Sequence, residues 1–139
     1  MKNKITRDEF NEIKQRLKSI SHTWSDLWDF LSLTDIKVSE AVQLQYTDIY
    51  ESLLDCTHNG IALGLSPEAL GLINRRKKLN SKDRYIFQSR SNRVKYKEQP
   101  VTVIAFNAAL RNVGISIGLN KISSKHAKYK IQVRLLPPC

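Results

Sequence analysis

Lys125-His126-Ala127-Lys128 sets two cations three residues apart, and Arg75-Arg76-Lys77-Lys78 sets four in succession. Side chains of this type hold phosphate oxygens, an ammonium as a point charge and a guanidinium as a planar two-pronged donor. Lys37, Arg90, Arg93, Lys95 and Lys97 are further cations of the same kind. Tyr46, Tyr50 and Tyr129 carry hydroxyls that could attack a phosphate if neighbouring cations stabilised the developing charge. Tyr129 adjoins Lys128 in sequence, on what reads as the same helix. Metal chemistry is poorly served: the three histidines and two cysteines lack ligand spacing, and Cys56 with His58 at i, i+2 does not make a site. The five glycines form no Walker-type or dinucleotide loop, so no cofactor is expected. Asp26, Asp29 and Asp35 read as solvated helix and cap residues, and Trp24 with Trp28, one turn apart, as core.

The cations are unevenly distributed. The 139-residue chain holds 23 Lys+Arg against 13 Asp+Glu, a net charge of +10. Residues 1–20 carry six basic and three acidic side chains, residues 21–74 one basic and eight acidic, and residues 75–98 ten basic and two acidic. Residues 99–120 add Arg111 alone, and 121–139 add five basic side chains and no acid. Two basic segments flanking a near-neutral apolar one suit a polyanion if they share a face. A hydrophobic content of 41% is too high for a disordered chain. No apolar run approaches the ~18 residues of a membrane span. The basic start, Met1 to Lys4, leads into Arg7-Asp8-Glu9 without an apolar stretch, so no secretory signal is expected. Two cysteines are too few for a disulfide framework, and reduced thiols in a bacterial cytoplasm are the expectation.

The elements that must position these groups are legible as apolar periodicity. Phe10, Ile13 and Leu17 give a helix over 7–18, and Ser21 caps a second helix with Trp24, Leu27, Trp28 and Leu31 inward. Val38 to Tyr46 reads as a third, short helix. Thr57-His58-Asn59-Gly60 between apolar runs predicts a β-hairpin. Ser66-Pro67-Glu68 starts a helix that runs into the 75–78 cations. Tyr85-Ile86-Phe87 reads as a short extended piece, followed by a basic loop to Pro100. Thr102 to Leu119 is a helix with Ile104, Ala108, Leu110 and Ile115 near one face, and Ile122 to Leu136 is lysine-rich and helical. Gly114 and Gly118 suggest close helix packing or capping. The sum is one mostly helical α+β domain over 1–139, with 1–20 as its N-terminal helix.

Several of these segments resemble tyrosine recombinases, the phage and plasmid integrases. Thr34-Asp35-Ile36-Lys37-Val38-Ser39-Glu40, followed by Leu44 and Tyr46-Thr47-Asp48-Ile49, is similar to that family's T-G-L-R-[IV]-S-E…L…W-x-D-I segment. Leu65 to Leu70 resembles the stretch after its catalytic hairpin, and Asp83 to Arg90 the strand and loop beyond. Ile122-Ser123-Ser124-Lys125-His126-Ala127-Lys128 aligns without a gap on I-[SG]-T-[HK]-x-x-R. The likeness spans residues 21–130 in order.

The resemblance implies a catalytic-core-like fold with a small β-hairpin or sheet, and a grip on duplex DNA. It also implies that the chemistry is lost. The family cleaves with a tyrosine, two phosphate-holding arginines, a hairpin lysine and a His/Lys partner. Here both arginine positions are lysines, Lys37 and Lys128, and Lys125 fills the His/Lys position. The hairpin turn has no lysine, and the nucleophile segment is expected beyond Cys139. Loss of one oriented donor from such a site costs about 10²–10³ in rate. The expectation is therefore a DNA-binding accessory or regulatory protein of a mobile element, with no catalytic residue and no metal. Its DNA-binding residues would be Lys37, Arg75, Arg76, Lys77, Lys78, Arg90, Arg93, Lys95, Lys97, Lys125 and Lys128. The alternatives are a protein-interaction module that has lost its DNA role and docks a partner through the acidic 21–74 half, and a strand-cleaving enzyme with an unconventional tyrosine. A protein partner or a homo-oligomer is also compatible with the sequence. No membrane partner is expected.

Overall fold

The computed structural model describes residues 5–49, 65–89 and 98–128. Helix α1 (Arg7–Ile20) starts at a capping box in which Thr6 Oγ1 accepts the Glu9 N–H (3.1 Å) and Glu9 Oε1 accepts the Thr6 N–H (2.9 Å). It buries Phe10, Ile13 and Leu17 on the expected stripe. Ser21 caps helix α2 (His22–Leu33), the central element, which packs against α1 and three later elements. Phe10 stacks on Trp28 with centroids 5.1 Å apart, and the buried Trp28 indole N–H donates to the Phe10 carbonyl at 3.2 Å. Trp28 is thus core with its one polar atom satisfied. Trp24 is half-buried against Phe106.

Helix α3 (Val38–Ala41) is shorter than the sequence pattern suggests. The chain leaves the helix because Leu44 to Tyr46 pairs with another segment: Tyr46 N–H donates to the Arg84 carbonyl, and Ile86 N–H to that of Leu44. Asp48 Oδ2 accepts the Gln45 N–H at 2.9 Å and starts a new helical turn over 46–49. The predicted hairpin around Asn59-Gly60 lies outside the described residues.

Helix α4 (Pro67–Leu79) begins as expected, with the Ser66 hydroxyl accepting the Ala69 N–H and Pro67 in the first turn. Tyr85-Ile86-Phe87 is a turn rather than a strand. Gln88 Oε1 accepts the N–H groups of Arg84 (3.0 Å) and Tyr85 (3.2 Å), curling the chain between two isolated antiparallel bridges, Gln45–Tyr85 and Gln88–Pro100. Among the described residues β structure is confined to such bridges, and the chain is mostly helical.

Helix α5 (Val103–Ser116) is capped by Thr102, but its inward face differs from the expected one. Phe106, Leu110, Val113 and Gly114 are buried, whereas Ile104 is 83% exposed and Ile115 59%. At 100° per residue Leu110 cannot share a face with Ile104 and Ile115. Both glycines act as the sequence suggests. Gly114 lies where Ile122 packs, and Gly118, at φ +83°, ends the helix in the left-handed region. The chain then returns to α2 through a 3-10 helix, η1 (Ser124–Lys128), held by Ser124 N–H donating to Asn107 Oδ1 at 2.9 Å.

Candidate nucleic-acid interface

Lys128 comes to the end of α2. Its Nζ donates to three backbone carbonyls, Leu31 at 2.9 Å, Thr34 at 2.8 Å and Ile36 at 2.8 Å. The last carbonyls of a helix have no intrahelical donor and sit at the negative end of its dipole, so an ammonium there is favourable on both counts. Three N–H donors meet three acceptors, a match that a planar guanidinium lacks. Lys128 is half-buried, and its charge faces the α2–α3 loop. It is therefore a helix-end tether rather than the phosphate contact that its alignment with an arginine suggests.

The same contact brings Lys128 against the residue that precedes Lys37. Ile36 immediately precedes Lys37, so the second cation position of the motif abuts the first. Lys37 is exposed at the start of α3, where its backbone N–H donates to Glu40 Oε1. In a 3-10 helix residues i and i+3 eclipse, so Lys125 lies on the same side of η1 as Lys128. Lys125 is exposed, and its ammonium has no hydrogen-bonding or ionic partner among the described residues.

The 75–78 run divides by direction. Arg76 is 4% exposed, a core residue. Its Nη1 meets Asp26 Oδ2 at 2.8 Å, its Nε the Ile86 carbonyl at 2.7 Å, its Nη2 the Thr23 hydroxyl at 3.2 Å, and its plane lies over the Phe87 ring. Arg75 is half-exposed and binds the other Asp26 oxygen at 2.8 Å. Its hydrogen bond to Asp26 raises the Arg75 pKa above the usual range, against partial desolvation and with help from the charges of Asp26 and Asp29. Asp26 is thus a buried carboxylate between two arginines, not a solvated helix residue, and Asp29 is paired with Lys14 at 3.2 Å. Arg76 is withdrawn from any phosphate, and Arg75 has a competing partner. Lys77 lies over the Tyr46 ring, 4.7 Å from its centroid, and donates to the Ser81 carbonyl at 2.9 Å. Lys78 is exposed. Arg90, Arg93, Lys95 and Lys97 lie outside the described residues, as do Tyr50, Tyr129, Cys56 and Cys139.

Two exposed cations that the motif reading passed over complete this end of the molecule. Lys82 lies in the turn after α4, and Arg84 donates from Nε to Gln45 Oε1 at 3.0 Å with its guanidinium over Tyr85. The signal available in sequence was their spacing from Lys78, four and six residues on. Tyr46 is buried, so its hydroxyl is not presented to a substrate.

Among the described residues no group of His, Cys, Asp and Glu could hold a metal ion, and no helix is long and apolar enough to cross a membrane. No family model, no curated protein and no solved structure matches the chain.

Proposed function

We propose that this protein binds the phosphate backbone of double-stranded DNA without cutting it, as a catalytically silent relative of the tyrosine recombinase core. On this reading it is an accessory or regulatory factor of a mobile element in a bacterial cytoplasm. The observation that supports the proposal is the contact of Lys128 with the carbonyl of Ile36, the residue immediately before Lys37. The same contact supports the reading of catalytic silence. Phosphoryl transfer needs oriented donors around the reacting phosphate, and here one position is an ammonium engaged by three carbonyls while the other is a lysine without a fork. What remains for DNA is long-range positive charge and exposed lysines, which give sequence-independent, salt-sensitive affinity.

The test pairs a duplex-binding titration at rising salt with incubation on nicked suicide substrates. Salt-sensitive binding with no covalent adduct is expected. An adduct would overturn the silent part, and failure to bind in dilute buffer the DNA part. A second reading, a protein-interaction module, is favoured by Ile104 and Ile115, exposed on one side of α5. It predicts that Ile104→Ser with Ile115→Ser abolishes self-association or partner capture while leaving DNA binding unchanged.

A further inference from the structure

We infer that the principal duplex-binding surface is the ridge formed by Lys78, Lys82 and Arg84, not the Lys37–Lys125 side to which the motif points. The inference rests on the DNA reading above and names the surface that reading leaves open.

Two segments distant in sequence meet at this ridge. The last turn of α4 reaches the 45–46 segment through Lys77, which lies on the Tyr46 ring, and reaches the following turn through the Ser81 carbonyl. The 45–46 segment is held in turn to Arg84, by Tyr46 N–H to the Arg84 carbonyl at 3.2 Å and by Arg84 Nε to Gln45 Oε1 at 3.0 Å. The backbone around Lys78, Lys82 and Arg84 is thus fixed from two sides, while all three side chains are exposed. Lys78 and Lys82 have no hydrogen-bonding or ionic partner among the described residues.

The ridge carries an excess of positive charge. Between Lys77 and Arg84 the only acid is Asp83, which is buried and accepts from Gln88 Nε2 at 3.2 Å. Asp48 lies beside the group and accepts the Gln45 N–H, which leaves the cations in excess. The contrast with Arg75 and Arg76, one turn earlier and bound to Asp26, is direct. The occupant is a duplex rather than a single strand: single-strand binders stack bases on open aromatic faces, and here the Tyr46 and Tyr85 rings each carry a cation on one face, with Tyr46 buried. Lysines acting as point charges suit phosphates and carry no base code.

The test compares binding of a random-sequence 20–30-base-pair duplex by four proteins across a salt series, each first shown to keep its native melting profile. These are wild type, Lys78→Glu/Lys82→Glu, Lys37→Glu/Lys125→Glu, and Lys18→Glu/Arg111→Glu, which makes the same charge change on α1 and α5. Each lost phosphate contact lowers the slope of log affinity against log salt by about 0.9. The ridge variant should lose about two units of slope and at least ~10-fold in affinity, more than either other variant. A ridge variant that keeps the wild-type slope, while Lys37→Glu/Lys125→Glu loses it, overturns the surface and leaves the DNA reading standing. Equal loss in the Lys18/Arg111 variant also overturns it, since net charge alone would then suffice. Wild type that ignores duplexes at low salt overturns both, and tighter binding to a single strand than to a duplex overturns the choice of occupant.

Discussion

The Nζ of Lys128 lies 2.8 Å from the carbonyl oxygen of Ile36, the residue immediately before Lys37. With Leu31 and Thr34 it forms a three-carbonyl seat that closes the C-terminal end of α2 and ties η1 to the α2–α3 loop. Two segments more than ninety residues apart in sequence are joined here through backbone carbonyls.

Lys128→Met should therefore destabilise the fold. A hydrogen bond to a charged group contributes about 1.5–3 kcal/mol, and three carbonyls lose their donor together. We predict a loss of at least that size in chemical denaturation. Lys128→Arg, which would restore the family's residue, should recover little of it, because a planar fork cannot meet all three oxygens. Full recovery by arginine would refute the seat as described.

The Asp26–Arg76 pair makes a second prediction. Removing one member of a buried ion pair leaves the other uncompensated, at about 3–5 kcal/mol. Asp26→Asn and Arg76→Met should each fall near that range in urea melts. Arg75→Met, at a half-exposed position, should cost no more than about 1 kcal/mol. Similar losses at Arg75 and Arg76 would contradict the division of labour.

Two glycines predict opposite signs. A Cβ on Gly114 would lie 2.7 Å from Ile122 Cγ1 and 3.1 Å from the Leu119 carbonyl. Gly114→Ala should cost about 1–3 kcal/mol, the usual penalty of overpacking, and loosen the segment that carries Lys128. Gly71 sits inside α4, exposed, with nothing within 4 Å of its Cβ position. Gly71→Ala should raise stability by about 0.5–1 kcal/mol through helix propensity. Differential scanning calorimetry of both variants reads the two signs directly.

Much of the helical framework was legible because apolar spacing and caps act locally. Phe10, Ile13 and Leu17 are buried as their i, i+3, i+7 spacing requires, and Ser21, Ser66 and Thr102 cap where a small polar residue precedes an apolar repeat. What was not legible depends on partners remote in sequence. Arg76 looks like its neighbours Lys77 and Lys78 until Asp26, fifty residues earlier, turns it into the core. Tyr85 to Phe87 has strand composition, yet the Gln88 amide curls it into a turn. The inward face of α5 is not legible in sequence because Ile104 and Ile115 are as apolar as Leu110, and only the neighbouring helices decide which side is covered. At the candidate site, the spacing of Lys125 and Lys128 marks two cations, but not the three carbonyls, remote in sequence, that the Lys128 ammonium meets.

The most direct test of the central claim is the salt dependence of duplex binding by the intact protein, read by fluorescence anisotropy on a labelled duplex. The account predicts log affinity falling linearly with log salt at a slope of at least about −2, and no species resistant to denaturant. A flat dependence, or no binding at the lowest salt, would contradict it.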